Sequence, residues 1–157
     1  MNEQIVLFLC TGNFYRSRYA EALFNHHAAL AGLNWKARSK GFRPHLATED
    51  LSHWAAERLE EHHIPFSLTR AKPGKLCPLD LAESSLVIAL YEPEHAPMVK
   101  EQFPQWIDRI RYWHVPDIDI TTPAIALAKI EYEIDDLIRQ LAAGHALGRH
   151  EDCVVEF

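Results

Sequence analysis

Ile5-Val6-Leu7-Phe8-Leu9-Cys10-Thr11-Gly12-Asn13-Phe14-Tyr15-Arg16-Ser17 is the stretch from which the rest of the chain is read. Its first five residues form a continuous apolar run of strand length, the pattern of a strand buried on both faces in a parallel sheet covered by helices. Cys10 stands at the C-terminal end of that strand. After a polar turn containing Gly12 and Asn13, apolar residues recur at Ala20, Leu23, Phe24, Ala28 and Ala31, the spacing of one helix face, and Gly32 is placed to stop the helix. The unit is strand, loop, helix.

The same pattern repeats outward. Residues 35–39 read as a short second strand, followed by a breaker-rich loop over 41–45. A helix is expected from about Thr48, burying Leu51, Trp54, Ala55 and Leu59 and ending before Pro65. Residues 86–90 are a second fully apolar run, 94–103 read as helix, and 109–113 form a shorter strand candidate. Thr122-Pro123 reads as N-cap and first-turn proline of a long helix ending near Gly144. Strands alternating with helices imply right-handed crossovers and an α/β fold, a three-layer α/β/α sandwich on a four-stranded parallel sheet. Sites in such folds lie at the C-terminal ends of the strands.

With 157 residues and 48% hydrophobic content, the chain suffices for one ordinary core, so a single domain over 1–157 is expected. Its apolar runs are short and its N-terminus has no secretory pattern, which points to a cytoplasmic protein that does not engage membranes. A net charge of −6 disfavours a nucleic-acid partner. Cys10, Cys77 and Cys153 form no CxxC pair and read as separate thiols. The ten histidines include the adjacent pairs His26-His27 and His62-His63, whose side chains diverge on a helix, so neither a metal nor another cofactor is expected.

The loop over 10–17 is Cys, five residues, Arg and a hydroxyl. A helix start presents unpaired backbone N–H groups and partial positive charge, so a loop wrapped there can ring the oxygens of a phosphate dianion. Thr11, Gly12, Asn13, Phe14, Tyr15 and Ser17 are the expected phosphate-binding positions, with Gly12 and Asn13 tolerating left-handed backbone. The thiolate, not the thiol, attacks phosphorus, and the helix start, Arg16 and Ser17 all favour the anion. Arg16 can also grip two phosphoryl oxygens at once. The spacing alone is weak; the strand before it and the helix after it give it weight.

Residues 6–13, followed by Arg16-Ser17 and Ala20-Glu21-Ala22, resemble the signature of the low-molecular-weight protein tyrosine phosphatases. The likeness extends more loosely through Ser39-Lys40-Gly41, the 86–90 strand and Val115-Pro116-Asp117. It implies a phosphomonoester hydrolase working through a phosphocysteine intermediate on protein phosphotyrosine or small aryl phosphates. Cys10 would be the nucleophile, Arg16 the clamp and Asp117 the proton donor, with Asp119 as fallback. Asn13 and Ser39 would hold the loop in shape.

Two departures stand out. Tyr15 occupies the place of a second cysteine in many members, so a protective disulfide with Cys10 is not expected. Asp117 is followed by Ile118-Asp119-Ile120 and not by the aromatic residues that wall a phenyl ring, leaving Phe14, Tyr15, Phe42 or Tyr91 to supply one. The rivals are an arsenate reductase of the same fold, which would need a further cysteine where Tyr91 stands, and a catalytically weak phosphate- or phosphopeptide-binding module. The oligomeric state and the role of the tail over 149–157 are not legible.

Overall fold

The computed structural model describes residues 3–144, so Cys153 and the C-terminal tail lie outside the described residues. Four parallel strands, β1 (Gln4–Cys10), β2 (Trp35–Gly41), β3 (Leu86–Ala89) and β4 (Arg111–Tyr112), lie in the order β2-β1-β3-β4. Among the described residues five α-helices accompany them: α1 (Arg16–Leu30), α2 (His53–Glu61), α3 (Pro78–Glu83) and α4 (Glu92–Gln102) between strands, and α5 (Pro123–Ala142) after the last. No helix among the described residues is long and apolar enough to cross a membrane.

The three layers follow from the two-residue period of the central strands. Val6 and Phe8 of β1, with Leu86 and Ile88 of β3, enter one core cluster with α1, α2 and α5. Leu7, Leu9, Val87 and Ala89 point the other way, into a second cluster with Leu81 of α3 and Val99 of α4. Each buried Leu, Ile, Val or Phe contributes about 1.5–3 kcal/mol of hydrophobic stabilisation, so both faces hold the sheet in place. The continuous apolar run is a consequence of lying mid-sheet with helices on either side.

Several boundaries depart from the sequence-based expectations. α1 ends at Leu30 with Gly32 at φ 67°, and α5 starts behind the Thr122 cap, as the pattern implies. α2, expected from Thr48, begins only at His53, because the preceding backbone is bonded elsewhere: Ser52 N–H donates to the Phe14 carbonyl at 2.7 Å, and the Asp50 carbonyl accepts from Arg18. Leu51 therefore precedes the helix. β4 is two residues long, its ladder with β3 limited to Ile88–Arg111 and Ala89–Tyr112. α3 was not anticipated; at six residues it is too short to show a periodic face.

The fold places the carboxyl ends of β1 and β2 together. Gly41, last in β2, pairs with Cys10, and its N–H and C=O bond to Gly74 and Leu76. A Cβ at Gly41 would lie 2.7 Å from the Thr11 carbonyl oxygen and 2.9 Å from Asn13 Cβ. Such an overlap with backbone forces the loop to move. Gly41→Ala is expected to lower stability by about 1–3 kcal/mol, measured by chemical denaturation.

Candidate active site

The loop over 10–17 turns back on itself between β1 and α1. Asn13 takes the left-handed conformation, with φ 55°. Gly12, also expected to need left-handed backbone, does not have a positive φ; its constraint is space, since a Cβ there would meet the Phe14 ring at 2.8 Å. Tyr15 is the N-cap of α1 and makes no side-chain cap, which leaves the N–H groups of the first turn free of a side-chain acceptor.

A buried chain of hydrogen bonds fixes this shape. Asn13 Nδ2 donates to Ser17 Oγ at 2.9 Å and Ser39 Oγ at 3.0 Å, while its Oδ1 accepts from Gly74 N–H at 2.9 Å. Ser17 Oγ lies 2.9 Å from Cys10 Sγ. The Ser17 hydroxyl, accepting from Asn13, keeps its own proton available to donate to the sulfur when Cys10 is a thiolate. Ser39 in turn donates to Glu21 Oε1 at 2.7 Å, and Thr69 to the same oxygen at 2.6 Å. Burial pushes the Glu21 carboxyl above its usual range, although the Thr69 and Ser39 hydrogen bonds and Arg18 oppose it.

Arg16 is buried, and its guanidinium is held from behind. Nη1 donates to Glu94 Oε1 at 3.1 Å and to the Val115 carbonyl at 3.0 Å, and Nη2 donates to Glu94 Oε2 at 2.6 Å. Asp117 Oδ2 lies 3.5 Å from Nη2. A guanidinium presents two bidentate edges; the carboxylate of Glu94 occupies the Nη1–Nη2 edge. Burial disfavours the Glu94 charge, but the hydrogen bonds from His95 and Arg16 outweigh it and hold the carboxyl well below its usual range. His95 Nδ1 accepts from Tyr91 N–H at 3.1 Å, so Nε2 carries the hydrogen that meets Glu94 at 3.2 Å. Burial pushes the His95 pKa down, consistent with a neutral ring.

The expected residues therefore converge only in part. Cys10, Ser17, Asn13 and Ser39 form one hydrogen-bonded unit, while Arg16 is bonded to Glu94 and Val115 with Asp117 beside it. The Thr11 hydroxyl donates to Glu94, so its side chain faces α4. Asp117 Oδ1 accepts from Ile118 N–H at 2.8 Å and its side chain is 41% exposed, whereas Asp119 is exposed two residues further on. Of the four candidates for an aromatic wall, Tyr15 is packed on Trp54, Phe42 is buried against His95, and Tyr91 meets His114 edge-on. Phe14 remains, half-buried beside Gly12. Cys77 is exposed and bonded to Asp80. Among the described residues, no cluster of three or more His, Cys, Asp or Glu side chains is arranged to hold a metal ion.

Sequence reasoning missed two groups. Glu94 looks like any acid in the first turn of a helix, and nothing local ties it to Arg16, 78 positions away. Arg18 is buried behind the loop, donating to Thr69 Oγ1 at 2.6 Å and to the carbonyls of Asp50 at 2.8 Å, Asn13 at 3.3 Å and Arg70. It ties the loop to two neighbouring segments.

A parallel sheet with a Cys-x5-Arg loop between its first strand and first helix, and an aspartate brought to that arginine, is the architecture of the small cysteine-dependent phosphatases. The sequence matches the family described as low molecular weight phosphotyrosine protein phosphatase over residues 5–151, and the chain belongs to that family. It is 31% identical over 145 residues to a protein-arginine-phosphatase of Bacillus subtilis (strain 168), covering 87% of this chain and 93% of the relative. The low molecular weight protein tyrosine phosphatase from T. tengcongensis superposes with a TM-score of 0.72 at 28% identity, covering 90% of this chain and 99% of the other. The YwlE arginine phosphatase of Bacillus subtilis, solved with a phosphorylated active-site serine, superposes with a TM-score of 0.70 at 27% identity, covering 90% and 95%.

The Glu94–Arg16 pair yields a pH-dependent prediction. A carboxyl depressed in the folded state contributes stability above its unfolded value near 4.5, and that contribution fades as pH falls below it. Glu94→Gln is expected to cost about 3 kcal/mol at pH 7. The gap to the unmodified protein should narrow between pH 5 and pH 3 in urea titrations.

Proposed function

We propose that the chain hydrolyses phosphorylated protein side chains through a phosphocysteine at Cys10. The observation that supports this most is the 2.9 Å contact between Cys10 Sγ and Ser17 Oγ at the open start of α1, with Arg16 beside it. The Cys10 thiolate attacks phosphorus, forming a P–S bond as the bond to the leaving atom breaks. Asp117 protonates that leaving atom. The backbone N–H groups over 11–17 and the free edge of Arg16 stabilise the charge on the transferring phosphoryl group. Asp117, now ionised, takes a proton from water; the water oxygen attacks phosphorus and the P–S bond breaks, releasing phosphate and the thiolate. Glu94 holds Arg16 through its far edge throughout. A cytoplasmic setting, where thiols stay reduced, suits this chemistry.

Phosphotyrosine is the substrate reading that the family name favours. Phosphoarginine is a second reading, favoured by the surface around Asp117: Ile118 is 50% exposed and Ile120 61%, offering aliphatic surface and no ring, with the Asp119 carboxylate exposed between them. Apolar stems and a carboxylate match an arginine side chain better than a phenyl ring. The similarity to a protein-arginine-phosphatase points the same way.

Purified protein is expected to hydrolyse p-nitrophenyl phosphate. Cys10→Ser should abolish turnover, and Asp117→Asn should lower it about 10²–10⁴-fold on substrates with poor leaving groups. Phosphotyrosyl and phosphoarginyl peptides assayed side by side decide between the two substrates. Vanadate binding without turnover would favour a binding module instead, and thioredoxin-coupled arsenate turnover requiring Cys77 would favour a reductase.

A further inference from the structure

Glu94 does more than hold Arg16, because it also brings a negative charge into the wall of the loop. A guanidinium has five N–H bonds to give. Nη1 spends both of its hydrogens on Glu94 Oε1 and the Val115 carbonyl, and Nη2 spends one on Glu94 Oε2. The Nε–Nη2 edge is what remains for an anion in the loop. Thr11, the residue after Cys10, donates its hydroxyl to the same Glu94 carboxyl, so the acid touches the loop near its start as well as at Arg16. Burial alone would push that carboxyl up, but hydrogen bonds from His95 and Arg16 hold it well below its usual range, and it is an anion at neutral pH.

The charges behind the loop therefore come in matched pairs. Arg16 has Glu94 at 2.6 Å, and Arg18, the other buried cation, has Glu21 Oε1 at 4.0 Å from its Nε. The loop keeps its hydrogen-bond donors but has little surplus positive charge. With Arg16 buried and the Glu94 side chain only 22% exposed, water screens these charges in part. A phosphate dianion on the Nε–Nη2 edge is thus opposed by Glu94 across the guanidinium, with both of its negative charges. Phosphoarginine differs in kind, since its own guanidinium puts a positive charge beside phosphorus and offsets one of the two. Phosphotyrosine brings no such charge.

We propose that Glu94 is a specificity-determining residue: its charge lowers the affinity of the loop for dianions, and so favours phosphorylated side chains that carry a positive charge beside phosphorus, such as phosphoarginine, over phosphotyrosine. The inference rests on the phosphatase reading above and deepens it. Glu94 needs no contact with phosphorus or the leaving atom, because it acts through its field. Its effect should therefore scale with the charge of the ligand.

The test uses tungstate and perrhenate, tetrahedral oxyanions of nearly equal size, the first a dianion and the second a monoanion. Each is titrated calorimetrically, at fixed ionic strength, into the unmodified protein, Glu94→Gln and Glu94→Ala, after both variants are shown to unfold cooperatively. Loss of an opposing charge acts on the dianion twice as strongly in free energy, so the gain on tungstate should be the square of that on perrhenate. We expect both variants to bind tungstate about tenfold and perrhenate about threefold tighter. Glutamine keeps one carbonyl for Arg16 and alanine keeps none, so a gain shared by both reports charge. Looser binding of both anions would make Glu94 an orienting residue only and overturn the inference. An equal change on the two anions, which charge does not produce, would overturn it as well. In turnover, the ratio of kcat/KM for a phosphoarginyl peptide to that for a phosphotyrosyl peptide of the same sequence should fall about threefold in Glu94→Gln. Any loss of Arg16 orientation cancels in that ratio, and an unchanged or raised ratio counts against the proposal. Absence of Cys10-dependent turnover in the unmodified protein sinks the phosphatase reading and the inference with it. Turnover that is present alongside any of the contrary results sinks only the role given to Glu94.

Discussion

The loop over 10–17 turns into α1 with no side-chain cap at the helix start, so its shape is imposed by the segments packed around it. That constraint organises the carboxyl end of this sheet. Asn13 adopts left-handed backbone and anchors the loop through three hydrogen bonds, to Ser17, Ser39 and Gly74. Arg43 N–H bonds to the Thr11 carbonyl at 2.8 Å and Ser52 N–H to that of Phe14, so the neighbouring segments take the loop's carbonyls and leave its N–H groups aside. Gly41 permits the approach. The late start of α2 belongs to the same accounting, since the residues before it serve the loop and Arg18 instead of a first helical turn.

Charge is handled in the same way, by pairing buried groups before any ligand arrives. Arg16 sits against Glu94, Val115 and Asp117, and Arg18 against four acceptors spread over three segments. An unpaired buried guanidinium would be costly, and one allowed to choose its own rotamer would not present a fixed edge to a phosphate. Glu94 meets both requirements at once. It neutralises the buried Arg16 and fixes the orientation of its guanidinium, while His95, bonded to Tyr91 N–H, meets the same carboxylate.

The departures from the family pattern cluster around the same aspartate. Tyr15 replaces a residue associated with redox protection, and its ring extends the core towards Trp54. Ile118 and Ile120 present exposed aliphatic surface next to Asp117 in the chain. The loop over 10–17 keeps the Cys-x5-Arg pattern of the family, and the differences lie beside Asp117.

The sequence by itself determined the layers, the strand carrying Cys10, the spacing to Arg16 and the long capped helix α5, because each of these is a local pattern of period, cap or spacing within a few residues. Family likeness extended that reading to Asp117, which the structure brings to 3.5 Å from Arg16. Only the tertiary structure decided that Glu94 backs the guanidinium, that Thr11 turns to α4, that α2 waits until His53 and that the Tyr15 hydroxyl is buried with no hydrogen bond among the described residues. Those facts depend on chain crossings that bring together residues as distant as Arg16 and Glu94. A side chain's partner across such a distance leaves no trace in periodicity, since an acid at a helix start looks the same whether it faces water or a buried arginine.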